Sequence, residues 1–296
     1  MSSPFDSTVA HSQVKSLLSL LRVVCTLTLA WQVFDDAPVA VAANRDESLE
    51  RDSRPPSVYS TDPLIVAPRD AEAGGTWIGY NERGVFAGIT NGWVGADLAG
   101  ERSRGLLVAD ILTADSAREA VSVVEQATAA DEYDAFNLVI ADADDAYCVR
   151  WGGDLERLSF DPGVHVVVNV AVDDDARIPP ERTEAARAQA DNARAVRHAL
   201  TVETDGTGEP TETVDGWLER AGTVLADHEY GVCVHRNGFG TRSSSLIALA
   251  DGGNEEGGPV AASYSFAAGP PCRTEYESVA LPVETDSGRE RDRGQH

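Results

Sequence analysis

Residues 25–31, CTLTLAW, alternate small or polar side chains with apolar ones, which is the period of a β-strand. A second alternating stretch, APVAVAANRDE at residues 37–47, follows the turn Asp35-Asp36-Ala37-Pro38. Two such stretches joined by a short turn predict a β-hairpin. The domain is therefore expected to begin with two antiparallel strands, and the first of them begins at a cysteine.

The rest of the chain alternates blocks of strand-like and helix-like sequence. Further strands are predicted at residues 76–80, 85–90, 135–141, 145–151, 164–170, 231–236, 243–250 and 261–267. Helices are predicted at residues 104–113, 116–129, 179–200 and 213–226. Four prolines predict a loop over residues 48–72. Helices that are segregated between blocks of hairpin-connected strands predict one α+β domain with two antiparallel sheets and helices outside them.

The chain is strongly acidic along its whole length. Its 296 residues carry 49 acidic and 24 basic side chains, a net charge of −25, and Lys15 is the only lysine. Nucleic acid and anionic membrane surfaces would repel such a chain, so we exclude both as partners. An acid-rich, lysine-poor composition is typical of adaptation to high intracellular salt, and we expect a cytoplasmic protein.

The two ends of the chain differ from the middle. Residues 1–24 contain the only Met and the only Lys and are predicted to be a disordered leader or a mis-assigned start. Arg22 interrupts their apolar segment and no small-residue cleavage site follows, which argues against a signal peptide. The uncharged stretch Val23–Phe34 is too short to span a bilayer. We expect one domain over residues 25–282 and a disordered tail over residues 283–296.

The cysteines and histidines show no metal or disulfide pattern in the linear sequence. The cysteines form no C-x-x-C pair and no Cys/His cluster with zinc spacing, and the histidines show no ligand spacing. We therefore predict free thiols, no metal and no cofactor. The residues concerned are Cys25, Cys148, Cys233, Cys272, His11, His165, His198, His228, His235 and His296.

Cys25 stands at the head of the first predicted strand, where two interpretations are open. A cysteine on a strand is most often a small apolar core residue. If the chain began at Cys25, however, its α-amino group would titrate near neutral pH and act as a general base for the thiol. A codon for Val24 can also start translation, and removal of the initiator Met would then expose Cys25.

Several polar residues end or interrupt the predicted strands. Arg45 and Asp46 form either a solvated turn or a pair flanking the thiol, where a cation would favour the thiolate and a carboxylate would orient an amine. Asn91 follows a strand, and Asn169 interrupts one, where a buried amide needs partners. Arg242 ends the segment GFGTR. Ordinary turns and ion pairs use the same residue types, so the meaning of this set depends on the fold.

The order of the motifs resembles that of a known family. The segments CTLTLAW, AANRDE, GGTWIGYNERGVFAGITN, SRG, FNLVIAD, YGVCV and GFGTRSSSLI follow one another within residues 25–267. This series is similar to that of the NRDE family, also called the Transport and Golgi organisation 2 family. The family resembles N-terminal-nucleophile hydrolases of the choloylglycine hydrolase and acid ceramidase type. The resemblance implies a four-layer αββα sandwich of two antiparallel sheets.

The resemblance also implies a site of six polar residues. These would be the nucleophile Cys25, its thiolate support Arg45, the amine-holding acid Asp46, the oxyanion donors Asn91 and Asn169, and Arg242, which completes the polar site. The hydrolases place two residues between their Arg and Asp, whereas the two are adjacent here, so either Asp46 or Glu47 could be the orienting acid. The site needs a free amine at Cys25, through a start at Val24 or cleavage of the leader.

Two functional classes follow from the resemblance. The first is an enzyme that hydrolyses a C–N bond other than a peptide bond in a protein, through a thioester intermediate. The second is a non-catalytic protein of the same fold that binds or carries haem, a lipid or an acyl-CoA. Both imply a small-molecule substrate or ligand, and haem enters as a ligand only in the second. The sequence leaves the oligomeric state open.

Overall fold

The structure is a computed structural model that describes residues 25–95, 98–250 and 259–280. Strands and helices make up most of these residues. The strands, in chain order, are β1 (Thr26–Phe34), β2 (Ala37–Ser48), β3 (Ser53–Thr61), β4 (Leu64–Asp70), β5 (Ile78–Asn81), β6 (Phe86–Asn91), β7 (Phe136–Ala141), β8 (Ala146–Trp151), β9 (Leu155–Ser159), β10 (Gly163–Val168), β11 (Ala171–Val172), β12 (Asp175–Ala176), β13 (His235–Arg236), β14 (Phe239–Leu249), β15 (Ala262–Ala267) and β16 (Glu277–Ser278). The helices are α1 (Arg104–Ile111), α2 (Ala117–Ala130), α3 (Thr183–Leu200) and α4 (Val214–Ala226), with 3₁₀ turns at Pro180–Arg182 and His228–Tyr230.

The strands form two antiparallel sheets. Sheet one has the order β12-β11-β10-β1-β2-β14-β15-β16, and β13 also pairs with β14. Sheet two is a meander from β3 to β9 in chain order. The predicted N-terminal hairpin, β1 and β2, therefore lies at the centre of sheet one. It is flanked there by strands that come much later in the chain.

Three apolar clusters separate four layers. On β1, Leu27, Leu29 and Trp31 pack between the two sheets, whereas Ala30 belongs to the cluster under α3 and α4. A third cluster packs α1 and α2 against the outer face of sheet two. The alternation in CTLTLAW therefore reflects two covered faces, one against a sheet and one against helices. The layers are helices, sheet one, sheet two and helices, which confirms the αββα prediction.

The helix start predicted at Ser116 is confirmed by its hydrogen bonds. The Ser116 hydroxyl accepts from the Glu119 N–H at 3.2 Å, and the Glu119 carboxylate accepts from the Asp115 N–H at 2.8 Å. The first bond satisfies an N–H group of the first turn of α2 that has no partner within the helix, and the second pairs the N–H of the residue before the N-cap. None of the described helices is both long and apolar enough to cross a membrane.

The loop predicted for residues 48–72 is wrong, because β3 and β4 occupy most of this segment. β3 is an edge strand of sheet two, where a residue that lacks an N–H need not break a ladder hydrogen bond. A register shift in the β3–β4 ladder contains three of the prolines, Pro55, Pro56 and Pro68. They fall where the pairing is already interrupted, so the prolines are compatible with strands.

The strand predicted at residues 231–236 is shorter than expected. Only β13 pairs there, since the preceding 3₁₀ turn ends at Gly231 in the left-handed conformation (φ 65°). The predicted leader, residues 1–24, and the predicted tail, residues 283–296, lie outside the described residues.

The cluster between the sheets predicts a large loss of stability when Leu29 is shortened. Leu29 is fully buried near the middle of β1, so Leu29→Ala should lower the free energy of unfolding by about 2–5 kcal/mol. Val58→Ala on the edge strand β3, where Val58 is 42% exposed, is the control and should change it by less than about 0.5 kcal/mol. Urea unfolding followed by tryptophan fluorescence measures both. Equal losses would contradict the placement of Leu29 in the core.

Candidate active site

A cavity of about 420 Å³ lies beside the start of β1. Its walls come from Cys25, from residues 45–47 at the end of β2, from residues 76–78 at β5, from Asn91 at the end of β6 and from residues 103–105 at the start of α1. Carboxylates, guanidinium groups and apolar side chains share the lining, and none of the described lining residues is a histidine. The cavity therefore lies where predicted polar residues from several strand ends meet.

Cys25 is held at this cavity by both its nitrogen and its sulfur. Its main-chain N–H donates to Asn169 Oδ1 at 3.1 Å, and its Sγ lies 3.7 Å from the main-chain oxygen of Asp46. Burial raises the pKa of the Cys25 thiol to about 12, the charges of Asp46 and Glu47 add to this, and Arg45 opposes it. Because the thiolate is the nucleophilic form, such a thiol needs a base to react.

The register of β2 against β14 brings a hydroxyl to Asp46. Asp46 pairs with Thr241 and Arg45 with Ser243, so Arg242 is the extra residue of a β-bulge. Thr241 Oγ1 donates to Asp46 Oδ1 at 2.6 Å. Without the bulge, the register of the rest of the β2–β14 ladder would place Arg242 opposite Asp46. The bulge therefore sets which β14 residue meets the acid.

The Asp46 carboxyl is buried and only partly satisfied. It is 1% exposed, and its Oδ2 has no hydrogen-bond partner in the described part of the chain. Burial raises the pKa of Asp46 well above its ordinary value, although the Thr241 hydrogen bond and the cations Arg236 and Arg45 lower it in part. The environment therefore favours the protonated carboxyl, which can donate as well as accept a hydrogen bond.

Asn169 connects Cys25 to the cavity wall. Its Oδ1 accepts from the Cys25 nitrogen and, at 2.7 Å, from Gln189 Nε2, while its Nδ2 donates to the Asn91 carbonyl oxygen at 2.8 Å. The resemblance assigns the Cys25 nitrogen to Asp46, whereas Asn169 makes this contact in the structure. Asn91 lines the cavity, and its side-chain amide has no hydrogen-bond partner among the described residues.

A network of arginines and acids forms another side of the cavity. The Arg45 guanidinium lies over the Trp77 ring at 4.1 Å, and its Nη2 is 3.6 Å from Glu47 Oε2. Arg51 joins Glu47 to Asp70, with N–O distances of 3.4 and 2.7 Å. Burial lowers the pKa of Arg45, and Arg45 Nη1 has no partner in the described residues. That nitrogen can donate to an acceptor on a bound molecule.

Two predicted residues, Asn169 and Arg242, are not part of the cavity lining. Asn169 contacts Cys25 directly, whereas Arg242 lies beside Arg51. The Arg242 Nη2 donates to the Arg51 carbonyl oxygen at 3.4 Å, so Arg242 reaches the site through one intervening residue. The other four predicted residues line the cavity. The bulge in β14 is the reason for the place of Arg242, since it presents Thr241 to Asp46 and leaves Arg242 beside Arg51.

The second glycine of the GGTW segment, Gly75, is required by close packing. A Cβ atom on Gly75 would lie 2.2 Å from the carbonyl carbon of Gly105, a distance that no side chain allows. The Thr76 N–H donates to the Gly105 carbonyl oxygen at 2.9 Å. This close approach brings the start of α1 against the start of β5. Arg104 and Trp77 consequently line the same cavity.

The family model described as Transport and Golgi organisation 2 matches residues 24–256. The chain belongs to the Transport and Golgi organisation 2 family. The match confirms the family resemblance drawn from the motifs, and it covers β1 through β14.

Two mammalian members of the Transport and Golgi organisation 2 family resemble the chain over about three quarters of its length, and a third resembles it over about half. The Transport and Golgi organization protein 2 homologs of Bos taurus and Homo sapiens are 27% and 26% identical over 243 and 244 residues, and each match covers 74% of this chain and 87% of the relative. The Mus musculus homolog is 30% identical over 156 residues, which cover 47% of this chain and 56% of the relative.

A solved amidase structure shares the fold of this family member. A Caenorhabditis elegans N-acylethanolamine-hydrolyzing acid amidase ortholog matches with a TM-score of 0.50 at 11% identity, covering 75% of this chain and 92% of that chain. Penicillin V acylase from Agrobacterium tumefaciens has a TM-score of 0.45 at 15% identity, with 82% and 83% of the two chains covered. At these identities the likeness concerns the fold alone.

Three residues of the site were not singled out by sequence reasoning. Thr241 stands inside the GTR segment, next to the arginine that was chosen. Arg104 stands in SRG, lines the cavity and donates from Nη1 to the Ala135 carbonyl oxygen at 2.8 Å. Gln189 is 4% exposed on the buried face of α3, beside Ala190. A polar residue on the apolar stripe of a helix is a usable signal, because a buried amide needs a partner.

The Thr241–Asp46 hydrogen bond predicts a specific effect of removing the hydroxyl. Thr241→Val keeps the shape of the side chain but leaves Asp46 Oδ1 without its donor, so the free energy of unfolding should fall by about 1–3 kcal/mol. Thr241→Ser keeps the hydroxyl and is the matched control, with a smaller loss expected. Urea unfolding of the three proteins measures this. A larger loss for Ser than for Val would show that the methyl group, rather than the hydrogen bond, matters at this position.

The buried Asp46 also predicts a pH-dependent stability difference. Its raised pKa means that the native state holds this proton more tightly than the unfolded chain, where an Asp titrates near ~3.9. The contribution to stability is therefore full below that value and is lost as pH rises toward the folded pKa. Relative to Asp46→Asn, the wild-type protein should lose free energy of unfolding over this range, as urea titrations at stepped pH would measure. A difference that does not change with pH would contradict the raised pKa.

Proposed function

We propose that the protein hydrolyses a small-molecule amide, with Cys25 as an N-terminal nucleophile. The proposal rests on two contacts of Cys25 at the cavity. Its main-chain nitrogen donates a hydrogen bond to Asn169 Oδ1, and its sulfur lies beside the Asp46 carbonyl oxygen. A nucleophile and its base can then be two groups of one residue, held in a fixed relation by two separate acceptors. The proposal requires Cys25 to become the first residue. The family match beginning at residue 24 fits a start at Val24 or removal of the leader.

The α-amino group is proposed as the base because the cavity offers no better one. Burial raises the pKa of the thiol, and no described lining residue is a histidine. An α-amino group titrates near ~7.7–8.0, so roughly a tenth to a sixth of it is the unprotonated base at about pH 7, and this fraction rises to about half at the pKa. When one of its N–H bonds donates to Asn169 Oδ1, the nitrogen lone pair remains available to take the proton from Sγ.

In the first half of the reaction, the thiol proton moves to the α-amino group while Sγ bonds to the amide carbonyl carbon. The carbonyl oxygen takes the π electron pair and becomes the oxyanion of a tetrahedral intermediate. When the C–N bond breaks, the α-ammonium group of Cys25 returns the proton to the leaving nitrogen. An amine departs and a thioester on Sγ remains.

In the second half, water attacks the thioester carbon and gives its proton to the same α-amino group. The C–S bond then breaks, the sulfur regains a proton, and a carboxylic acid leaves. The balance is one amide and one water consumed, with one acid and one amine formed. Cys25 returns to its starting state, and no oxidant, reductant or further co-reactant is required.

The surrounding polar residues are assigned by their contacts. Asn91 is the proposed oxyanion donor, because its side-chain amide has no other partner in the described chain and lines the cavity. Asn169 holds the amine. Of the two candidate acids, Asp46 orients the site because its main chain contacts Sγ, whereas Glu47 pairs with Arg45. Arg45 supports the site from the Trp77 side.

The size of the cavity supports a small molecule as the substrate. Its volume of about 420 Å³ falls in the range of small-ligand pockets, roughly 300–1,000 Å³. Trp77, Ile78 and Ile89 add apolar surface to the same lining. The N-acylethanolamine-hydrolyzing acid amidase ortholog has this fold, which supports an amide as the substrate class.

The test compares three forms of the protein on a panel of N-acyl amides that release a chromogenic amine. A chain beginning at Cys25, produced by cleavage of a fusion, should hydrolyse at least one member of the panel and form a thioester adduct detectable by mass spectrometry. Cys25→Ala in the same chain should lower kcat/KM by at least about 10⁴-fold. A chain that retains Met1 should show the same loss, because its Cys25 nitrogen is an amide and cannot act as a base.

Cys148→Ala provides a matched control, since Cys148 is buried on β8 and does not line the cavity. It should keep the activity of the parent chain. Hydrolysis that survives Cys25→Ala would overturn the proposal. If no amide reacts with any form and the protein instead shifts the haem Soret band at stoichiometric ligand, the non-catalytic carrier would be the better description.

A further inference from the structure

Four side chains of types that can ligate a metal ion meet at one place outside the cavity lining. His228, Cys233, His235 and Cys272, called here the Cys/His cluster, each offer one ligand atom, and these atoms lie within 4.8 Å of one another. His235 Nε2 lies 3.6 Å from Cys233 Sγ and 3.1 Å from Cys272 Sγ. The rings of His228 and His235 are 5.2 Å apart and nearly perpendicular. None of these residues takes part in the proposed hydrolysis.

Separate local structures position three members of the cluster. Asp227 accepts a hydrogen bond from the Glu229 N–H at 2.9 Å and so starts the 3₁₀ turn that carries His228. β13 carries His235 and pairs with β14 opposite Gly240. Cys272 lies in a turn closed by hydrogen bonds to the Pro270 carbonyl oxygen at 3.0 and 3.1 Å. The cluster therefore joins residues 228–235 to the turn that contains Cys272, two segments that meet only in the folded chain.

We propose that the Cys/His cluster binds one Zn²⁺ ion in a tetrahedral site. Two sulfurs and two imidazole nitrogens form the Cys₂His₂ donor set of structural zinc sites, and a tetrahedral S₂N₂ set favours Zn²⁺ over harder cations. Zn–S bonds of ~2.3 Å and Zn–N bonds of ~2.0–2.1 Å give tetrahedral edges of roughly 3.3–3.8 Å. The observed distances of 3.6 and 3.1 Å are close to those edges, and the outermost pair needs to close by only about 1 Å.

The site would be structural rather than catalytic. Four protein ligands leave no position for water or substrate on a tetrahedral ion. Cys233 is buried, with 6% of its surface exposed. The ion would therefore lie at the protein surface, with Cys233 on its inner side. The bound ion would link residues 228–235 to the turn at residues 270–274.

The cluster also lies next to the support of the candidate active site. The Thr241 N–H donates to the Val234 carbonyl oxygen at 2.9 Å, and the Val234 N–H donates to Thr241 Oγ1 at 2.9 Å. Thr241 in turn holds Asp46. Val234 lies between two cluster members, Cys233 and His235, so a bound ion would hold the segment that positions the Thr241 hydroxyl. This inference does not depend on the proposed hydrolysis.

Linear spacing does not reveal the cluster. Cys233 and His235 are separated by one residue, whereas Cys272 is 37 residues beyond His235. β14 and β15 carry the chain out along sheet one and back before Cys272 is reached. The prediction of no metal rested on the absence of a short-range pattern, which a site closed by a distant turn need not show.

The test measures zinc in the full chain purified under reducing conditions without chelator. Elemental analysis after dialysis should give about one Zn²⁺ per chain. Cys272→Ser and His235→Gln should each reduce this at least fivefold, and His198→Gln, an exposed histidine on α3 away from the cluster, should keep it. Removing the metal should lower the Tm of the wild-type protein and of His198→Gln but not that of Cys272→Ser.

A second readout covers variants that fail to fold. Co²⁺ added to metal-free wild-type protein should produce the strong visible bands of a tetrahedral ion together with thiolate-to-cobalt charge transfer. Wild-type protein that binds neither ion at micromolar concentration would overturn the proposal. So would a Cys233–Cys272 disulfide found by non-reducing peptide mass mapping of the protein from its natural host, because oxidised sulfurs cannot ligate the ion.

Discussion

The hydrogen bond from Thr241 to the buried carboxyl of Asp46 is the contact on which the site depends. A carboxyl removed from water with no donor would destabilise the fold, and a single hydroxyl provides that donor here. The same hydroxyl accepts from the Val234 N–H, so β2, the bulge of β14 and the segment before β13 meet at one oxygen atom. Since the Asp46 main chain contacts Cys25 Sγ, a shift of Asp46 would also change the surroundings of the thiol.

The layered architecture explains why this contact can be rigid. β1 and β2 lie inside sheet one, and both faces of that sheet are covered, by sheet two on one side and by α3 and α4 on the other. The polar residues stand at the ends of these strands, where the sheet stops and the cavity begins. Gln189 from α3 reaches Asn169 across the layer boundary. A helix of the outer layer thus fixes the residue that holds the Cys25 nitrogen.

Local sequence patterns predicted the architecture well, because alternation in CTLTLAW and AFNLVIA and the Ser116 capping box report local geometry. The β3–β4 hairpin was missed because its prolines are tolerated only at an edge, and edge position is a property of the whole sheet. Arg45 and Asp46 were singled out by their place at a strand end, and the family resemblance assigned their roles in the site. Thr241 was missed and Arg242 was chosen instead, because a one-residue bulge determines which of the two lies opposite Asp46. No local pattern in GFGTR indicates that bulge.

The strand order of the two sheets has a consequence for synthesis of the protein on the ribosome. Sheet two joins sequence neighbours, so it can form as the chain emerges. In sheet one, β2 needs β14, and the Asp46–Thr241 pair spans 195 positions. One edge of the first hairpin therefore stays unpaired while most of the domain is translated, and a bare strand edge invites association with other chains. The cysteine is made first, but its complete surroundings are among the last parts of the domain to form.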